Sequence, residues 1–254
     1  MKAAEIAARL AQARAEARLV EIENLNELIA SVDDAYRVQS ELAALPGGDV
    51  RGWKVTALAP QDQKKYFASG PVAGPLFAPF VVKSPASLAL SRFVAPVFEC
   101  EVAFVLGDDL PSRPTPYERH EVEAAVAAVV AAFEIPDNRV ATTASALVVL
   151  ADAMGNGAFV VGEPVTRWRD FDLGNIAVTL TADNGEHLVG NSDRIPGNPF
   201  LALLALANAQ PLGAGGLQKG QIVTTGTCTT PAPVRAGAYI GDFGPLGTVR
   251  AQFE

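Results

Sequence analysis

The sequence predicts an α+β protein in which a β-dominated domain follows a helical N-terminal arm. Three observations carry this. Apolar residues recur at helical spacing before Pro46-Gly47-Gly48. From Val50 onward the chain changes to short β-rich runs punctuated by Gly and Pro. The 254 residues contain no internal repeat and no low-complexity linker, which fits one large domain over residues 50–254 carrying an arm over residues 1–49.

In chain order, Ile6, Leu10, Ala13 and Ala17 define a helix from residue 3 to about 19, with Arg9, Arg14 and Glu16 on its other faces. Ser31 caps a second helix through AYRVQSELAAL, placed three residues before Asp34. GWKVTAL, GPLFAPFVV and FECEVAFVLG read as strands. Thr115-Pro116-Tyr117-Glu118 has the capping residue, early proline and acidic third position of a helix start, and predicts a helix through EVEAAVAAVVAA that gives way to a short strand at FEIPD. LVVLADAMGNGAFVVG reads as a helix, a glycine turn and a strand. IAVTLTADNGEHLVG is a hairpin whose Asn184-Gly185 suits a tight primed turn. GNPFLALLALANAQ is a helix with Pro199 near its start, and GQIVTTGTC, VRAGAYIGDFG and LGTVRAQF close the chain as strands.

A net charge of -8 without a Lys/Arg cluster excludes the concentrated basic surface that nucleic acid or anionic membranes require. No run is long and apolar enough to span a bilayer, and the N-terminus interleaves Glu and Arg with Ala and Leu, unlike a signal peptide. Cys100 sits in an apolar strand and Cys228 in a Thr-rich turn, so free thiols and a cytoplasmic location are expected.

The chemistry concentrates in PVFECEVAFVL. On a strand, Glu99 and Glu101 share one face and Phe98, Cys100, Val102, Phe104 and Leu106 the other. Two carboxylates among apolar neighbours repel unless a cation lies between them; the alternative is an ordinary half-solvated strand. Glu134, at the end of the most apolar stretch, is the candidate third ligand, or else it faces solvent or pairs with Arg139. An all-oxygen set without His or Cys suits Mg²⁺ or Mn²⁺ and not zinc. His120 and His187 lie in charged or turn contexts and read as surface residues, and no Ser-His-Asp or dinucleotide-binding pattern is present.

The strings DDAYRVQ, GWKVT, GPLF, FECEVAFVLGDDLP, AAFEIPDNR, LADAMGNGAFVVG, GNP, GQIVTTG and LGTVRAQF occur in an order that resembles the 2-oxo-4-pentenoate hydratase and 4-oxalocrotonate decarboxylase branch of the fumarylacetoacetate hydrolase superfamily. The resemblance implies a β-rich fumarylacetoacetase C-terminal-like roll of mixed sheets. It also implies a divalent metal on Glu99, Glu101 and Glu134 that chelates a small 2-oxo acid, Lys54 as a catalytic and substrate-site residue, Asp152 near the pocket as a proton shuttle, and Thr225, Gly226 and Thr227 as substrate-binding. A homo-oligomer is the family's habit. A Lewis-acid metal stabilises an enolate, the intermediate shared by dienoate hydration and decarboxylation.

The chain departs from the family pattern at two places. Val72 and Ala73 stand where an acidic residue usually precedes GxLF, and Asp152-Ala153-Met154-Gly155 replaces an Asp-Asn stretch followed by Ser. The leading expectation is a metal-dependent lyase, hydratase or decarboxylase, acting on a 2-oxo or 2-hydroxydienoate acid. The alternatives are a C–C bond hydrolase of an acylpyruvate, disfavoured by the lack of a usable histidine, and a degenerate family member that binds a 2-oxo acid without turnover.

Overall fold

A computed structural model describes residues 1–196, 198–210 and 216–254. The arm contains α1 (Ala3–Ala15), α2 (Leu25–Leu28) and α3 (Val32–Ala44). The domain then runs β1 (Val50–Thr56), α4 (Pro60–Gln63), β2 (Val72–Phe77), β3 (Val81–Lys83), β4 (Ala86–Leu88), β5 (Val97–Leu106), α5 (Arg119–Ala125), β6 (Val126–Pro136), α6 (Ala146–Ala151) and β7 (Asn156–Val161). It closes with β8 (Ala177–Ala182), β9 (His187–Asn191), α7 (Pro199–Ala209), β10 (Ile222–Thr227), β11 (Ala232–Pro233), β12 (Gly237–Asp242) and β13 (Thr248–Phe253).

The strands form two mixed sheets, as the α+β expectation requires. One has the order β2-β1-β10-β5-β6-β7-β3, with β11 added to β5; the other is β4-β13-β12-β8-β9. Although β2 and β7 lie near opposite ends of the first sheet, the Phe77 amide on β2 donates to the Asn156 side chain on β7 at 3.3 Å, so the sheet curls into a roll. Leu76, Ala103, Val130, Ala132 and Phe159 fill its inside. The other face carries the alternate residues Phe98, Cys100, Val102 and Phe104 and packs against the second sheet and α7. Phe98 ties the two sheets together, its ring 4.5 Å from Phe133 and 4.9 Å from Tyr239.

Four local expectations are corrected. The first helix ends at Ala15, and Ala17 takes a left-handed φ of 48°, so Ala17 belongs to the turn after it. The helix expected through EVEAAVAAVVAA covers only Arg119–Ala125, capped by Glu118 and Glu121 instead of Thr115. From Val126 the same Ala/Val run is strand, because β5 and β7 offer it two antiparallel partners and its small and β-branched side chains fit a sheet buried on both faces. GPLFAPFVV is broken by a 3₁₀ turn at Ala78–Phe80 into β2 and β3, which sit at the two ends of the first sheet. The hairpin exists, but its connection spans residues 183–186 and only Gly185 has positive φ. Asn184 instead anchors the loop, donating to the Ala236 carbonyl and the Tyr239 hydroxyl at 3.0 Å each.

Ser31 caps α3 as expected, its Oγ accepting from the Asp34 amide at 3.1 Å. The arm does not stand apart from the domain. Ile6, Leu10, Val38 and Leu42 share one buried cluster with Val72, Leu147, Val148 and Ala151. The DDAYRVQ string has a physical role here: Gln39 donates to the carbonyls of Leu150 (2.6 Å) and Ala73 (3.2 Å), and the Tyr36 hydroxyl accepts from the Ala73 amide. The arm thereby clamps β2, which lies beside the lysine strand β1.

Because Leu10 is buried in that joint cluster, Leu10→Ala should cost about 2–5 kcal/mol within a single cooperative transition. Urea unfolding followed by both tryptophan fluorescence and far-UV circular dichroism checks this; an earlier, separate loss of helical signal would mark the arm as an independent unit.

Candidate metal centre

Two adjacent antiparallel strands build the centre. On β5, alternation places Glu99 and Glu101 on the inner face of the roll, and the register sets Glu99 directly opposite Glu134 of β6. One carboxylate oxygen from each of Glu99, Glu101 and Glu134 lies within 4.8 Å of the others. Glu101 and Glu134 are each only 2% exposed. Glu134 does not pair with Arg139, whose guanidinium turns to Asp137 and Asp152.

Lys54 reaches the cluster from β1, two strands away from β5 across β10. Its ammonium pairs with Glu134 and donates to the Met154 carbonyl at 3.0 Å. A single lysine facing three carboxylates, two of them buried and Glu99 half-buried, leaves the cluster short of positive charge, and the donors are all oxygen, so the residues fit a hard divalent cation. Burial pushes Glu99 up from the ordinary carboxylate range; it pushes Glu101 to about 8, with the neighbouring Glu99 charge adding to the effect. Burial likewise lowers Lys54, against the pull of Glu99 and Glu101.

β10 supplies the next layer. The Thr224 hydroxyl donates to Glu101, and the Gly226 amide, at a φ of 114°, donates to the same oxygen at 3.0 Å. The hydroxyls of Thr225 and Thr227 donate to the carbonyls of Val102 (2.7 Å) and Thr229 (3.1 Å), so they fix the loop. Thr225, Gly226 and Thr227 line a cavity of about 190 Å³ together with Val55, Asp62 and Arg194. Arg194 carries no sequence signal; it is brought there by the turn after β9.

Asp152, 1% exposed, lies on a strap between α6 and β7. Arg139 approaches its carboxylate at 3.0 Å and Arg14 at 3.6 Å. Arg14, expected on an outward face of the first helix, is thus nine-tenths buried, because α1 turns that face towards the strap. Val72 and Ala73, at the position of the missing acid, are apolar and buried. His120 and His187 are exposed, as expected. The Gly197 of the GNP string lies outside the described residues.

Because Glu101 is raised from 4.5 to about 8, the folded chain without metal binds more protons than the unfolded chain across that window. Its stability should therefore fall as pH rises from about 4.5 through about 8. A divalent cation needs the deprotonated carboxylates, so Mg²⁺ should bind more tightly at pH 8.5 than at pH 6 and offset that loss. Thermal melts with EDTA and with Mg²⁺ over this pH range check both signs, and unchanged metal occupancy in Glu99→Ala would remove Glu99 from the site.

No family model matches the chain. It is 31% identical over 252 residues to a 2-keto-4-pentenoate hydratase of Paraburkholderia phymatum, covering 94% of this chain and 95% of that one. It is 30% identical over 170 residues to a 4-oxalocrotonate decarboxylase of a Pseudomonas species, covering 66% and 64%. Its fold is similar to that of 4-oxalocrotonate decarboxylase from Pseudomonas putida G7, solved in complex with magnesium and adipate, with a TM-score of 0.86 and 22% identity over 99% of this chain and 97% of that one. With the first of these relatives spanning almost the full chain, the protein belongs to the 2-keto-4-pentenoate hydratase family of enzymes.

Proposed function

We propose that this chain is a divalent-metal-dependent hydro-lyase acting on a small 2-oxo or 2-hydroxydienoate acid in a catabolic route. The observation that carries the reading is the convergence of Glu99, Glu101, Glu134 and Lys54 inside the roll. Hydration is preferred to decarboxylation because the relatives that are 31% identical over nearly the whole chain are hydratases, whereas the decarboxylases match 66% of it at 30% identity or 99% of it at only 22% identity. C–C bond hydrolysis lacks a water-activating histidine, both histidines being exposed.

Glu99, Glu101 and Glu134 would hold Mg²⁺ or Mn²⁺, which supplies Lewis-acid stabilisation of negative charge on a substrate oxygen. Lys54 is assigned the proton transfer. Burial lowers it from the ordinary amine range, which makes the proton easier to give up, and its ammonium is already aimed among the carboxylates. The Gly226 amide and Thr224 hydroxyl hold Glu101 in place. Thr225, Gly226 and Thr227 form a wall of the substrate cavity, and exposed Arg194 on the same wall receives the substrate carboxylate.

Asp152 is assigned a positioning role in place of the proton shuttle expected of it. Its carboxylate stands between two guanidinium groups, while its charge supports the protonated form of Lys54. The buried apolar Val72 and Ala73 leave Lys54 without an acidic partner from that segment. Among the described residues no helix is long and apolar enough to cross a membrane. The unlinked thiols of Cys100 and Cys228, whose backbones are hydrogen-bonded at 2.7 Å, support the proposed cytoplasmic location. A homo-oligomer belongs to the same proposal and rests on the family resemblance, because the apolar faces of the arm are buried within its own chain.

With Mg²⁺ and a 2-hydroxydienoate, the protein should bleach the dienoate absorbance without releasing CO₂. Lys54→Met should lower kcat by about 10²–10⁴-fold while retaining metal. Arg194→Gln should raise KM about tenfold with kcat little changed, the expected loss for one charge-assisted contact. CO₂ release would replace the hydratase by the decarboxylase, and substrate binding without turnover would establish a degenerate member.

A further inference from the structure

A second cavity, of about 360 Å³, lies between α1, the end of β2 and the start of β7. None of Glu99, Glu101, Glu134 and Lys54 lines it, nor does Met154, whose carbonyl accepts from Lys54. Arg14 enters from the last turn of α1, with its guanidinium carbon 5.1 Å from the Phe77 ring centroid and 5.0 Å from that of Phe80. The side chain is 10% exposed and donates no hydrogen bond among the described residues; Nε and Nη2 are fully buried without a partner there, and the closest Asp152 oxygen is 3.6 Å away. Arg139, 1% exposed, also lines the cavity; its Nη2 pairs with Asp152 at 3.0 Å, while its Nε is buried without a hydrogen-bond partner among the described residues. Buried donors this numerous are costly unless something accepts from them.

Charge and shape narrow the acceptor. Arg14, Arg139 and Arg92 at the rim face only Asp137 and Asp152 as lining or contacting anions, because Glu16 at the mouth is held by Arg18. One positive charge is left over, which matches a monoanion better than a phosphate dianion. A guanidinium fork fits the planar carboxylate. The rings of Phe77, Phe80 and Phe93 suit an apolar body behind it. We propose that this cavity is a second ligand site, distinct from the metal centre, for an amphipathic monocarboxylate that accepts hydrogen bonds from Arg14 and Arg139.

The test is isothermal titration of benzoate into the full-length, EDTA-treated protein, with benzyl alcohol as the uncharged control. Saturable benzoate binding is expected, with no binding of the alcohol and at least a tenfold weaker Kd in Arg14→Met, which keeps the apolar stem. Absence of binding, or equal affinity in Arg14→Met, overturns the proposal. So does binding that requires Mg²⁺ and disappears in Glu99→Ala, since the ligand would then sit on the metal centre. Should Arg14→Met fail to unfold cooperatively, Phe80→Trp replaces it: a saturable benzoate-dependent change in the new tryptophan's emission supports the site, and an unchanged spectrum overturns it.

Discussion

The pairing of β5 with β6 is the constraint on which the rest depends. Its register puts Glu99 opposite Glu134 and Glu101 opposite Ala132, so the small alanine leaves space beside the second carboxylate. A slip of one residue would turn the whole acidic set towards the face now occupied by Phe98, Phe133 and Tyr239. That aromatic contact fixes the register from behind. The hydrophobic core and the candidate metal centre are thus two faces of a single pairing, and neither can be placed without the other.

Burial then gives the centre its chemistry. Three carboxylates in water would ionise independently; inside the roll, desolvation raises Glu99 and Glu101 and lowers Lys54. The same low-dielectric setting makes each hydrogen bond to Glu101 matter more, which is why β10 bulges between Thr224 and Thr227 and points two donors at one oxygen. Strand irregularity there replaces ladder pairing with support for the Glu101 carboxylate.

The strap after α6 shows a different cost. Ala153, Met154 and Gly155 have φ values of 52°, 53° and 68°, three left-handed residues in succession. For the two that are not glycine this costs about 1–2 kcal/mol each. The conformation is held by its contacts: Lys54 donates to the Met154 carbonyl, the Asp137 amide donates to the Gly155 carbonyl at 2.7 Å, and Gly74 opposite lacks the Cβ that would collide with Ala153. Where the family pattern has asparagine, a residue tolerant of this region, the chain has alanine. Local strain is the physical content of that departure.

What the sequence discloses follows from the range of the forces involved. Alternation along β5 is local, so the shared face of Glu99 and Glu101 was legible from eleven letters, as were the Ser31 cap and the helix opening at Pro199. The strand at Val126 was not, because an Ala/Val run has no periodicity of its own and takes the conformation of its partners. Arg14 and Asp152 lie 138 positions apart, and nothing local marks either as half of a buried pair. On the helix, Arg14 has the spacing of an outward residue, and only the docking of the arm on the strap reverses its environment. Charged groups buried by tertiary contact are therefore where reading by pattern fails, and two cavities of this protein lie at such groups: one beside Lys54 and its glutamates, the other at Arg14 and Arg139.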